Sequence, residues 1–196
     1  MPAPSWIQYS EEVVAEGHPT KADVANRPAK TIWTNFTQQH DINGLHLLNW
    51  TLPCVFVKSS VNQSIANGVN TTLSFDLEDY DTDNLHSTTT NNSRITISRA
   101  GLWLFFATVV FASNSTGFRT VYLGINGGGS IGVTRVTVNA VSGIETYVCA
   151  AGMKNLSVND YVEVIVSQNS GAALNVLSGL AGINTHFGAI YIGRNN

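Results

Sequence analysis

The sequence predicts an all-β domain of about ten short antiparallel strands in a sandwich or barrel, preceded by an arm and one short helix. Three observations predict it. From Leu52 to the C-terminus, short apolar or alternating runs recur between turn signals: Asn67-Gly68, Asn114-Ser115-Thr116-Gly117, Asn126-Gly127-Gly128-Gly129, Asn159-Asp160 and Ser170-Gly171. Only 12% of the 196 residues are charged, about half the usual share for a soluble protein. Asn, Thr, Ser and Gly fill the gap, a mixture that favours strands and turns over helices. Finally, the run "GLWLFFATVVFA" is apolar on both of its alternating faces, with Leu102, Leu104, Phe106 and Val110 on one and Trp103, Phe105, Val109 and Phe111 on the other. A strand of this kind must be covered twice, once by the core and once by a second layer or another subunit.

The chain changes character near residue 50, which divides it into an arm over 1–50 and a β-domain over 51–196. Within the arm, "NRPAKTIWTNFTQQHDINGLH" predicts one helix. Asn26 is placed to cap it, Pro28 suits its first turn, and Asn43-Gly44 ends it. Ile32, Trp33 and Phe36 share one face of that helix. The preceding residues have no strong period and need a surface to lie on. Ten strands then follow: "CVFVKS", "TTLSF", "RITIS", "LWLFFATVVFAS", "TVYLGI", "GVTRVTVNA", "IETYVCAAG", "DYVEVIVSQ", "ALNVL" and "HFGAIYIG".

The net charge is -3 and the Lys and Arg residues are scattered singly, which argues against nucleic acid as a partner. No apolar run approaches the roughly 18 residues that would span a bilayer, so membrane insertion is not expected. The opening "MPAPSWIQYSEEVV" has neither a basic n-region nor an apolar h-region, so no secretory signal is expected. Cys54 and Cys149 sit in apolar runs without a metal-ligand spacing and read as buried free thiols, with a disulfide between neighbouring strands the lesser reading.

"LSFDLEDYDTDNLH", "ITISRAGLWLFFATVVFA", "STGFRTVYLGINGGG", "NDYVEVIVSQNSG" and the closing "FGAIYIG", in that order, resemble the C1q/tumour-necrosis-factor-like domain, and most closely its microbial and bacteriophage members. Gly101, Trp103 and Phe105 match the family's glycine, aromatic and strand pattern, with Trp where Tyr is usual. Asn159-Asp160-Tyr161-Val162 stands where the family has Gly-Asp-x-Val, and Phe187-Gly188 matches the terminal strand. The resemblance spans residues 52–194. It implies a ten-stranded jelly-roll protomer, a homotrimer and no enzymatic activity. Trp103, Phe105, Val109 and Phe111 would then pack at the three-fold axis, although Trp103 also suits the core. The arm and the "QHDINGLH" run resemble anchoring ends of phage virion appendage proteins. By this resemblance the chain is a virion protein, assembled in the host cytoplasm and anchored to other virion proteins through Trp6, Trp33 and Phe36. Its knob faces outward to a host-surface glycan or protein, as a short fibre or tail tip. A capsid decoration protein is the alternative. A carbohydrate-active or lectin-like module using Asp79 and Asp81 is a further one.

Five carboxylates crowd between Asp76 and Asp83. Asp79, Asp81 and Asp83 have the 1, 3, 5 spacing of an EF-hand, but Asn84 and Thr90 replace the Gly and Glu that Ca²⁺ needs there. A solvated loop held by local N–H groups is the expected reading, with a Ca²⁺ site the lesser one, and Asp79 and Asp81 are expected to be dispensable for folding. "GGGSIG" places Gly127, Gly129 and Gly132 in a G-x-G-x-x-G pattern, but a strand rather than a helix follows, so these glycines form a hairpin loop and no cofactor is expected. No catalytic signature occurs, and His18, His40, His46, His86 and His186 are isolated in sequence. No catalytic residue and no resident metal are assigned.

Overall fold

The computed structural model describes residues 52–130, 134–178 and 185–194. The chain divides between Thr51 and Leu52. The expected N-terminal helix and the anchor residues Trp6, Trp33 and Phe36 lie outside the described residues.

Among the described residues there is no helix and there are thirteen strands. In chain order these are β1 (Cys54–Lys58), β2 (Gln63–Ile65), β3 (Thr71–Thr72), β4 (Leu77–Asp81), β5 (Arg94–Thr96), β6 (Gly101–Phe111) and β7 (Phe118–Ile125). They continue as β8 (Gly128–Ser130), β9 (Val136–Asn139), β10 (Thr146–Leu156), β11 (Tyr161–Gln168), β12 (Leu174–Val176) and β13 (His186–Gly193). The count of ten is therefore corrected. The ten apolar runs are all strands, and β2, β4 and β8 are added. The acidic stretch read as a loop begins as β4, an edge strand with no buried residue and so no apolar alternation to announce it.

The strands form two antiparallel sheets. In the first, β4, β1, β13, β6 and β10 lie side by side, and β12 and β2 continue from the far end of β6. The second holds β3, β5, β11, β7, β8 and β9. The first and last strands of the domain pair directly, from Cys54 opposite Ile190 to Lys58 opposite His186. Asn126 and Gly127, with φ of 51° and 72°, turn the two-residue hairpin between β7 and β8, so the glycine run is a hairpin as its sequence implied.

Alternate residues of both sheets fill one core. Val55, Val57, Trp103, Phe105, Phe187 and Tyr191 come from the first sheet, facing Ile95, Val121, Leu123, Val162, Val164 and Val166 of the second. Trp103 meets Tyr191 edge-on at 5.2 Å between ring centroids and donates its indole N–H to the Arg99 carbonyl at 2.9 Å. Arg119 is also buried completely. Its guanidinium donates to the carbonyls of Thr116, Phe118 and Asn114 at 2.9–3.2 Å, which ties the loop before β7 to the end of the sandwich. Burial pushes its pKa down.

Gly101 opens β6 at φ 144°, and a Cβ there would run into the Gly193 carbonyl and the Tyr191 ring. Strain and overlap act together at this position. Gly101→Ala is expected to lower stability by about 2–4 kcal/mol, read as a lower midpoint in urea unfolding with an unchanged slope.

Candidate interaction surface

β6 decides which side of the first sheet faces out. Trp103, Phe105, Val109 and Phe111, assigned from sequence to a trimer axis, are each fully buried in the core of a single chain. That assignment is corrected. The aromatics of β6 face inward because Phe187, Phe75 and Tyr191 pack on them, with Phe105 and Phe187 6.5 Å apart and Phe75 and Phe187 5.7 Å apart. Leu102, Leu104 and Phe106 are half-buried on the opposite, outward face.

Strand registers build that outward face into rows. Cys54, Ile190, Leu104 and Met153 stand side by side on β1, β13, β6 and β10. The next row runs from Tyr80 on β4 through Phe56, Gly188 and Phe106 to Ala151. Lys58, His186, Thr108 and Cys149 make the third. Gly188 is what makes the middle row flat: any Cβ there would enter the Phe106 ring. Phe56 stacks on Tyr80 at 6.0 Å and on His186 at 4.9 Å, and meets Phe106 at 6.1 Å. Met153 is 60% exposed, Tyr147 51% and Ile192 49%. The result is a contiguous apolar patch spanning five strands, a feature that on a soluble protein marks a contact surface.

The second sheet is finished differently. Its outward residues pair with one another across strands. Thr120 and Thr137 share a hydrogen bond of 2.8 Å, Arg94 bonds Glu163 at 3.3 Å and lies 4.0 Å over the Tyr161 ring, and Arg135 lies 4.3 Å over Tyr122. These pairs satisfy the polar groups of Thr120 and Glu163, which are buried on this face together with Tyr122 and Ile165.

The three carboxylates with calcium-like spacing are used separately. Asp79 pairs with Lys58 at 2.6 Å, and Asp83 accepts from the Ser98 hydroxyl. Asp81 accepts the backbone N–H groups of Asp83, Leu85 and His86 at 2.9–3.2 Å. Glu78 meets Nδ1 of His86 at 2.8 Å, whose Nε2 faces the Asn92 carbonyl at 3.1 Å. No group of three metal-ligating side chains occurs among the described residues. Asp81 thus holds the turn after β4 through local N–H groups, as the sequence reading of this loop expected. The cysteines are free, but Cys149 is exposed and Cys54 half-buried, so the expectation of two buried thiols is corrected as well.

Two other carboxylates carry an acid dependence. The Ser60 hydroxyl, with help from its N–H, holds Asp76 below the ordinary 3.8 against a small burial effect. The Asn126 side-chain amide and the Ser157 N–H do the same for Asp160. A carboxylate held low when folded stabilises the protein above 3.8, and that contribution is lost as pH falls through the depressed value. Thermal melts between about pH 6 and about pH 3 are expected to fall less steeply for the Asp76→Asn, Asp160→Asn double variant than for wild type.

No family model matches the sequence, and no curated protein does. Solved structures do. The globular domain of zebrafish complement 1qA protein superposes with a TM-score of 0.53 at 13% identity, covering 73% of this chain and 99% of that one. Murine APRIL superposes with a TM-score of 0.53 at 15% identity, covering 72% of this chain and all of that one. The fold is the C1q/tumour-necrosis-factor-like jelly roll. Within this jelly roll, the patch residues that sequence reasoning missed are Phe56, Tyr80, Gly188 and His186. Their only sequence signal was the period-2 parity of "PCVFVKS" and "HFGAIYIG".

Proposed function

We propose that the chain is a non-enzymatic structural and binding protein that works as a homotrimer, with the apolar face of the first sheet covered by neighbouring copies. The observation that carries this reading is the pair of apolar rows, Cys54–Ile190–Leu104–Met153 and Tyr80–Phe56–Gly188–Phe106–Ala151, on the outward face of the first sheet. A ring of copies, each covering part of its neighbour, buries such a face without leaving an open end. The trimer is the number of copies that the C1q/tumour-necrosis-factor resemblance favours.

The same resemblance supports a bacteriophage virion as the setting. Residues 1–50 anchor the trimer to other virion proteins, and the jelly roll is carried outward as a knob for a host-surface glycan or protein. An arm that carries Trp6, Trp33 and Phe36 is suited to docking, since an isolated short helix is marginal in water. Three arms per trimer add their weak contacts through effective concentration. Removing residues 1–48 is expected to leave a folded, assembled jelly roll that no longer binds virions lacking the protein, measured by co-sedimentation. Undiminished binding would make the jelly roll the particle-facing part, which is the capsid-decoration arrangement.

A further inference from the structure

We infer that the end of the sandwich away from its first and last strand residues is a recognition surface for a neutral saccharide chain. The inference rests on the reading of the jelly roll as a knob for a host-surface glycan or protein, and it names the ligand class and the place. Strand registers divide the connections between two ends. Cys54, Gly101, Leu156 and Gly193 lie towards one end, where the β-domain both begins and finishes. Towards the other, Phe111 stands beside Thr146, and Phe118 beside Asn139. The connections 66–70, 112–117, 140–145 and 169–173 all leave from that second end. They are built of Asn, Ser, Thr, Gly, Ala, Val and Ile, with Glu145 the one charged residue among them. Charges return at the first end, with Asp83, Arg99 and Asp160 in its connections.

Two fully buried polar side chains hold this end in one shape. Arg119 of β7 and Gln168 of β11 stand opposite each other in register. The Gln168 amide donates to the Ile65 and Ala172 carbonyls at 3.0 and 2.8 Å, and its oxygen accepts the Ser170 N–H at 2.6 Å. Arg119 gathers the carbonyls of Asn114, Thr116 and Phe118, and no carboxylate among the described residues bonds it. Asn67 accepts the Gly171 N–H at 2.8 Å, and Asn169 accepts that of Phe118. The loops 66–70, 112–117 and 169–173 are thereby tied to one another. A buried guanidinium without a counter-charge is costly. What it secures here is a loop with carbonyls turned inward and with Ser113, Ser115 and Thr116 exposed. Groups fixed in advance lose little freedom on binding. Asn, Ser and Thr side chains donate and accept hydrogen bonds, as sugar hydroxyls require, and exposed Val69 offers apolar contact to a ring's C–H groups. A charged ligand would lose its water at this end and meet no opposite charge. A protein partner would be anchored through Trp, Tyr or Arg, and these connections contain none.

The test is binding of the full chain to a printed panel of neutral and acidic oligosaccharides at about 0.05 M and about 0.5 M salt. Wild type is compared with Ser115→Glu, with Val69→Glu and with Thr96→Glu, the last on the second sheet away from these loops. All of these positions are exposed, and a thermal melt checks that each variant is folded. The expected result is a wild type that binds neutral members equally at both salt concentrations. Ser115→Glu and Val69→Glu should each weaken that binding by about tenfold or more in Kd, and Thr96→Glu should match wild type. Binding to acidic members alone, lost at the higher salt, overturns the ligand class. Neutral binding unchanged in both loop variants overturns the place and leaves a glycan-binding knob standing. A wild type that binds no member overturns the inference outright. The arm-deletion measurement decides the anchoring reading separately, so the two failures are told apart.

Discussion

Val109→Asp is expected to yield no folded protein. Val109 is fully buried and stands opposite Val148 on β10, inside the shared core of the two sheets. A carboxylate placed there loses its water and gains no cation, at a cost of about 3–5 kcal/mol or more. That is comparable with the whole stability of an ordinary domain, about 5–15 kcal/mol. The readout is the absence of a cooperative melt followed by circular dichroism. A variant that melts near the wild-type temperature would show that this face of β6 is not in the core.

Leu104→Asp, on the same strand, is expected to do something different: to leave the protein folded and to stop its assembly. Leu104 points outward, half-buried, between Ile190 and Met153. In a free chain the new carboxylate reaches water, and the loss of stability is about 1 kcal/mol. Under a neighbouring copy it would be buried in every subunit at once, at several kcal/mol each. The expected product is a well-folded single chain. Thr96→Asp, exposed on the second sheet, is the matched control and should change neither folding nor assembly.

These two substitutions also mark what the sequence could and could not reveal. The run "LWLFFATVVFA" announced a strand apolar on both faces, and in the structure one face fills the core while Leu102, Leu104 and Phe106 of the other point outward, half-buried. Parity alone does not say which face is inside. Trp103, Phe105, Val109 and Phe111 carry the larger side chains, but the choice is made by Phe75, Phe187 and Tyr191, which come from distant parts of the chain. The same limit hid the site. Phe56, Gly188 and Phe106 become neighbours only when β1, β13 and β6 pair in register.

Strands were legible where they were long or apolar. β4 was not, because its five residues LEDYD are an exposed edge whose charges discourage further pairing instead of marking a core. Nor was β10's environment: "TYVCAA" reads as an apolar run, yet Cys149 and Ala151 belong to the outward row and only Val148 and Ala150 to the core. Turn positions were more reliable. Asn126-Gly127 and Asn159 take the positive φ that their types permit, at the places their sequence marked.

The central claim is that the outward face of the first sheet is covered by copies of this chain. Its most direct test is the mass of the purified protein in solution, measured by light scattering at micromolar concentration and neutral pH. The account predicts three times the 21.1 kDa chain mass. A monodisperse species of one chain mass, with its apolar rows open to water, would contradict it.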